Sequence, residues 1–78
     1  LPEGYILLVN NYDRPGVIGN IGMALGNRGI NIATMQFSRD RMGGSAISLL
    51  HLDSPLEPGM LGELLRMPNI ISVRQVVL

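Results

Sequence analysis

The sequence lacks two residue types on which many functional sites depend, cysteine and lysine. Without cysteine, the chain can form no disulfide, no thiol nucleophile and no thiolate metal site. Without lysine, its six basic residues are all arginines, and six acidic residues balance them to a formal net charge of zero. We therefore expect no basic surface that would attract nucleic acid or an anionic membrane.

Aromatic and charged residues are also scarce. Aromatic residues make up 4% of the sequence and charged residues 15%, whereas hydrophobic residues make up 46% and the mean hydropathy is +0.28. A chain of 78 residues is long enough for one domain with a single modest core, so residues 1–78 are treated as one domain. A surface this poor in charge suggests that a partner covers part of it.

Long hydrophobic segments are missing as well. No run approaches the roughly 20 apolar residues of a membrane span, and no signal peptide is visible. We therefore expect a cytoplasmic location. Because the sequence begins with Leu1 rather than Met, we expect a processed product or a piece of a longer protein.

Apolar segments separated by glycine, proline and charged residues predict six regular elements. Pro15 suits the first position of a helix, and Gly29 suits the left-handed residue just past its end. A charged, glycine-ended turn is expected over residues 39–44. The predicted elements are a strand Tyr5–Asn10 buried on both faces, a helix Gly16–Arg28, strands Ile30–Ser38 and Ser45–Leu52, a helix Gly59–Met67 and a strand Ile70–Leu78.

This order of elements, βαββαβ, predicts an α+β domain. Two βαβ halves with right-handed crossovers form a four-stranded antiparallel sheet with both helices on one face, which is the ferredoxin-like fold. In that arrangement the first and third strands are central, and the second and fourth strands are edges.

Ferredoxin-like domains serve unrelated functions, and missing residues exclude some of them. An RNA-recognition domain needs stacking aromatics on its central strands. Here the central strands, YILLVN and SAISLLHL, contain one tyrosine and no phenylalanine. A copper-binding version needs paired cysteines in the first loop, and this sequence has no cysteine. An acylphosphatase-like enzyme would hold a phosphoryl group with Arg14, but the charge of Asp13 beside it would repel that group. We therefore expect no catalytic residue in this chain.

The segment NNYDRPGVIG places polar side chains and bare backbone where the first helix begins. The first turn of a helix offers unpaired N–H groups and partial positive charge, so a carboxylate could bind the amides of Gly16, Val17 and Ile18. Asp13 supplies a nearby negative charge for an ammonium group, and Asn11 supplies a neutral amide. An anion site beside a cation site suits an amino acid.

These features also have purely structural explanations. Asp13 near a helix start is often only a cap, which stabilises a helix by roughly 1 kcal/mol. The Pro-Gly pair is ordinary turn chemistry. A stripe formed by Gly19, Gly22 and Gly26 suggests that another backbone packs close to the helix, either the domain's own second helix or a second subunit.

His51 and Asp53 lie two residues apart and share one face of the third strand if that strand runs far enough. A metal site or an acid–base pair is conceivable there. Because no third ligand is evident, the preferred interpretation is a polar strand end near the surface, and no metal site is predicted.

The segments YDRPGVIGNIG, INIATMQFSR, GGSAI and LD, at this spacing, closely resemble the ACT domain family of amino-acid-sensing regulatory modules. The resemblance extends from Tyr5 to Leu78. Within that family the chain is most similar to the C-terminal regulatory domains of D-3-phosphoglycerate dehydrogenases, which are NAD-dependent enzymes of serine biosynthesis. The resemblance implies a regulatory module with no catalysis and no cofactor of its own, NAD being bound by other parts of the enzyme.

In those dehydrogenases L-serine is held by polar side chains of the first loop and by an Asn that opens the second strand. The resemblance therefore implies Asn11, Asp13 and Asn31 as effector-binding residues. The helix between Asp13 and Asn31 is roughly 18 Å long, so one small amino acid cannot touch both within one protomer. If both are ligands, Asn31 comes from a partner related by a two-fold axis, and the exposed edge strand Ile30–Ser38 suits such a dimer.

Two alternatives stay open. The same motif occurs in the ACT-like part of iron–sulfur L-serine dehydratases, which are a second candidate parent. The chain could also be a dimerisation module without a functional effector site, although the presence of Asn11, Asp13 and Asn31 favours a functional one. Arg14 is expected to form a salt bridge or to anchor the loop.

Overall fold

A computed structural model of the chain describes residues 4–39 and 43–78, in which the six elements follow the predicted order. The third strand has the predicted bounds, and the other elements differ from prediction by one to two residues at one or both ends. The elements are β1 Tyr5–Tyr12, α1 Val17–Asn27, β2 Ile32–Arg39, β3 Ser45–Leu52, α2 Pro58–Leu65 and β4 Ile70–Val77.

The four strands form one antiparallel sheet in the order β2-β3-β1-β4. β1 and β3 are therefore central and β2 and β4 are edges, as predicted. β1 pairs with β3 from Tyr5 opposite Leu52 to Tyr12 opposite Ser45. The predicted ferredoxin-like fold is confirmed.

The hydrophobic core lies between one face of this sheet and the two helices. On β1, Leu7 and Val9 are buried, whereas Asn10 is exposed, so the prediction that this strand is buried on both faces is wrong. An antiparallel sheet with both helices on one side leaves its other side to solvent. The core cluster consists of Leu7, Val9, Val17, Ile21, Leu25, Leu50, Leu52, Leu56, Met60 and Leu64.

The first helix begins later than its proline suggested. Gly16 is the residue that precedes the helix, with a left-handed φ of 87°, and the helix starts at Val17. The prediction of Pro15 at the first helical position is therefore wrong, because the chain turns once more through Pro15 and Gly16 before it becomes helical. This extra turn lies beside the candidate site.

The end of α1 follows the predicted glycine signal. Gly29 has a φ of 73° and its N–H donates to the Gly26 carbonyl, while the Ile30 N–H donates to the Leu25 carbonyl. This is a Schellman motif, in which a left-handed residue lets the chain satisfy the last carbonyls of the helix. The prediction for Gly29 is confirmed.

The glycine stripe of α1 does not pack on α2. A Cβ built on Gly19, Gly22 or Gly26 would meet no atom of the described residues within 4 Å, the helix's own backbone left aside. The predicted contact with the second helix is therefore wrong, and a contact with a second subunit stays a prediction. Of the turn predicted over residues 39–44, residues 40–42 lie outside the described residues.

Replacing Gly29 by alanine tests the role of the left-handed residue. We expect Gly29→Ala to lower the free energy of unfolding by about 1 to 2 kcal/mol, because a Cβ disfavours positive φ. Asn27→Ala, at an exposed position in the last turn of α1, is the control and should change stability little. Equal effects of the two substitutions in urea titrations would contradict the assignment.

Candidate functional site

The sheet topology brings the first loop beside the β2–β3 connection. Tyr12, at the end of β1, lies opposite Ser45, and Arg39, at the end of β2, lies opposite Ala46. The ends of β1 and β2 therefore lie beside the start of β3, at the same end of the sheet. The loop that follows β1 starts at Asp13 and runs from this end of the sheet to α1.

Backbone and side-chain hydrogen bonds join the first loop to the β2–β3 connection. The Asp13 N–H donates to the Gly44 carbonyl at 2.7 Å. The Arg14 guanidinium donates to the Gly43 carbonyl at 2.7 Å and to the Asp13 carbonyl at 3.4 Å. The prediction that Arg14 anchors the loop is confirmed.

The carboxylate of Asp13 is the charged centre of the loop. One of its oxygens, Oδ2, accepts a hydrogen bond from the Arg39 guanidinium at 2.8 Å and another from the Gly43 N–H at 3.4 Å. The Asp13 side chain is 18% exposed and the Arg39 side chain 45% exposed. Asp13 makes no capping bond to α1, so the alternative explanation of this residue as a helix cap is wrong.

These contacts determine the ionisation of Asp13. The hydrogen bond from Arg39 lowers the pKa of the carboxyl group below its ordinary value of 3.8, and the bond from Gly43 lowers it further. Partial desolvation opposes this shift, and the charge of Arg14 adds weakly to it. Asp13 is therefore anionic at neutral pH and available to a cation.

A cavity of about 490 Å³ opens beside the carboxylate, within the range of roughly 300–1,000 Å³ that is usual for small-molecule sites. Its described lining carries one acidic and two basic side chains. The lining residues are Asp13, Arg14, Pro15, Arg39 and Gly43.

The start of α1 lies next along the chain. Gly16 is exposed, and a Cβ built there would meet no described atom within 4 Å, so a ligand could approach this backbone. The side chains of Val17 and Ile18 pack toward the core. The Val17 N–H makes a long bond of 3.4 Å to the Arg14 carbonyl. The role of these three amides as an anion site stays a prediction.

Asn11 takes a different position from the other candidate residues. It is 1% exposed and faces the helices, on the same side of β1 as Val9. Its side-chain amide donates to the Tyr12 carbonyl at 3.0 Å, and its side-chain oxygen accepts from the Ser48 hydroxyl at 3.3 Å. In this conformation the side chain lines none of the cavities described here, and its role as a ligand stays a prediction.

Asn31 lies beyond the far end of α1. Its side-chain amide donates to the Asp53 carboxylate at 2.7 Å, and its backbone carbonyl accepts from the Asp53 N–H at 3.0 Å. The 11 residues of α1 separate this position from Asp13 by about 16 Å of helix. The structure therefore does not bring Asn31 and Asp13 together within one protomer.

His51 and Asp53 line a second cavity of about 430 Å³, together with Gly4 and Leu78 near the two ends of the described chain. In the described residues no group of three or more His, Asp or Glu side chains could hold a metal ion. The same residues include no helix long and apolar enough to cross a membrane.

Sequence reasoning missed Arg39 as a member of the site. Arg39 is 26 residues from Asp13 in the chain, and no motif links the two. The predicted topology contained the necessary signal, because antiparallel pairing of β1 and β2 with β3 brings Asp13 and Arg39 to the same end of the sheet.

The pH dependence of stability tests the ion pair. Because the pKa of Asp13 is lowered in the folded chain, the pair stabilises the fold above pH 3.8, and this contribution is lost as pH falls through the lowered pKa. Asp13→Asn and Arg39→Gln should both reduce the acid-induced loss of stability measured by urea unfolding. An Arg39→Gln variant with the wild-type pH dependence would refute the assignment.

Comparisons with known proteins agree with this architecture. The model of the ACT domain family matches residues 5–66. D-3-phosphoglycerate dehydrogenase of Bacillus subtilis is 43% identical over 75 residues, which cover 96% of this chain and 14% of that enzyme. D-3-phosphoglycerate dehydrogenase of Methanocaldococcus jannaschii is 40% identical over 73 residues, which cover 94% and 14%. The chain thus spans about one seventh of the length of these relatives.

Two solved structures share the fold at low sequence identity. A homoserine dehydrogenase from Thiobacillus denitrificans superposes with a TM-score of 0.76 at 19% identity, over 96% of this chain and 17% of that one. The C-terminal domain of the MgtC protein from Mycobacterium tuberculosis superposes with a TM-score of 0.70 at 14% identity, over 96% of this chain and 86% of that one. From the family match and the related dehydrogenases together, the chain belongs to the ACT domain family.

Proposed function

We propose that this ACT domain binds a free amino acid, L-serine, at an interface between two copies of the chain. Binding favours one relative orientation of the two copies and thereby controls a longer enzyme, the NAD-dependent D-3-phosphoglycerate dehydrogenase. Coupling of this kind is typically about 1–3 kcal/mol, which corresponds to a change of roughly five- to 150-fold in affinity. The domain itself performs no catalysis, and its location is the cytoplasm.

The observation that carries the proposal is the Asp13 carboxylate beside an open cavity, next to the start of α1. Its lowered pKa keeps it anionic, so it can bind the ammonium group of an amino acid. The amides of Gly16, Val17 and Ile18 offer partial positive charge to the carboxylate of the same ligand. These opposite charges at neighbouring positions suit a zwitterion better than a phosphate or a metal ion.

The position of Asn31 supports a site shared between two copies. About 16 Å of helix lies between Asp13 and Asn31, and this is too far for one small amino acid to span. A two-fold axis would bring Asn31 of one copy to Asp13 of the other and would create two equivalent sites. Each Asn31 would exchange its present bond to Asp53 for one to the ligand.

The edge strand β2 supplies a surface for this contact. All its residues from Ala33 to Arg39 are exposed, and the strand has a neighbour on one side only. Met35 and Phe37 lie opposite buried residues of β3, so they point to the helix-bearing face, yet they remain 43% and 42% exposed. A second copy that pairs along β2 would satisfy the free strand edge and cover these two side chains.

The relatives favour this parent over an iron–sulfur L-serine dehydratase. Those named above are D-3-phosphoglycerate dehydrogenases, and they match this chain over 94–96% of its length. A dimerisation module without an effector site is the remaining alternative, and titration distinguishes it from a sensor.

The first test is calorimetric titration of the chain with L-serine, with glycine and L-phenylalanine as control ligands. We expect one L-serine per chain and a mass in solution of at least a dimer. Asp13→Ala should abolish binding and remain folded, because the side chain is near the surface and is not part of the core. A dimer that binds none of the three ligands would refute the sensor and favour the dimerisation module.

The second test concerns the dimer surface. Phe37→Glu should convert the dimer to a monomer, because it places a charge on the surface that the second copy covers. Leu65→Glu is a matched control, since Leu65 is a similarly exposed hydrophobic residue on α2. Sedimentation that shows a monomeric wild-type chain, or equal masses for the two variants, would refute an interface at β2.

A further inference from the structure

Arg39 is a charged residue of the cavity that the proposed function does not use. Its guanidinium carries five N–H donors, and among the described residues one of them is bound, in the contact with Asp13 Oδ2. The side chain is 45% exposed and lines the same cavity as Asp13. Within the described part of the chain it therefore retains donors for a second acceptor.

Asp13 has a matching free acceptor. Both of its hydrogen bonds, from Arg39 and Gly43, end on Oδ2. No described residue bonds to the other oxygen, Oδ1. With respect to the described residues, the pair of side chains thus offers an unbonded carboxylate oxygen and unbonded guanidinium donors side by side.

An amino acid can complete this arrangement. With its ammonium group on Asp13 and its carboxylate on Arg39, the four charges alternate in sign, so that each one has opposite charges as neighbours. The planar guanidinium fork suits a carboxylate better than a point charge does, because it can donate two parallel hydrogen bonds. The ligand need not break the Asp13–Arg39 pair.

The backbone of α1 alone is a weaker partner for that carboxylate. It offers the partial charge of a helix end, and one of its first amides, that of Val17, already makes a long bond to the Arg14 carbonyl. Arg39 contributes the full positive charge of a guanidinium group.

We infer that Arg39 binds the carboxylate of the amino-acid effector, next to the ammonium group held by Asp13. This inference rests on the proposed function and adds a residue to it. It assigns the two ends of the ligand to two side chains that line the same cavity.

The test compares two ligands with two variants in calorimetric titrations. The ligands are L-serine and L-serine methyl ester, which lacks the carboxylate charge. Both are titrated at mildly acidic pH, so that the more acidic amino group of the ester stays an ammonium group. Arg39→Gln should weaken L-serine binding by about tenfold or more, as expected for loss of a charged hydrogen bond. It should leave the affinity for the ester unchanged, and Arg39→Lys should restore part of the loss.

Arg74→Gln is the matched control, because Arg74 is an exposed arginine on the edge strand β4, opposite Leu8. It should bind L-serine as the wild type does. Unchanged or tighter L-serine binding by Arg39→Gln would overturn the inference. So would an equal loss for acid and ester, which would show that Arg39 only positions Asp13. A wild-type chain that binds neither ligand would instead overturn the proposed function itself.

Discussion

The register of β1 against β3 is the constraint from which the candidate site follows. It sets Tyr12 opposite Ser45, so that the chain leaves β1 at the same end of the sheet at which β2 ends. Asp13 then bonds to Gly44 through its backbone and to Arg39 through its side chain. A slip of one residue would turn Leu7 and Val9 away from the helices and would separate this ion pair. Core and site therefore depend on the same pairing.

The surface of the domain is consistent with a second constraint, that the folded chain is incomplete by itself. Its edge strand β2 is exposed along nearly its whole length, and a Cβ added to any glycine of the stripe on α1 would contact no described residue. The polar residues that the family resemblance assigns to one ligand lie near opposite ends of α1. The second copy that we propose would account for all three features, since it would cover the strand, pack on the helix and supply the other half of each site.

The sequence was sufficient for the fold but only partly for the site. Apolar periodicity and the signal at Gly29 locate the elements, because these depend on near neighbours in the chain. Asn11 shows the limit, because no pattern near it in the chain indicates that its side chain is buried and bonded to Ser48, 37 residues away. Arg39 was missed for the same reason, since its contact with Asp13 depends on strand register. Whether another backbone covers the glycine stripe depends on a second molecule, which no pattern within one chain specifies.

The most direct measurement is a complementation experiment with two inactive variants. Asp13→Ala and Asn31→Ala chains, each unable to bind L-serine alone, are mixed in equal amounts, allowed to exchange subunits, and titrated. In a shared site, each mixed dimer has one intact site, with Asp13 from one chain and Asn31 from the other. Statistical mixing should then restore about one quarter of the wild-type sites. A mixture that binds no L-serine, or an Asn31→Ala chain that binds it alone, would contradict the shared site.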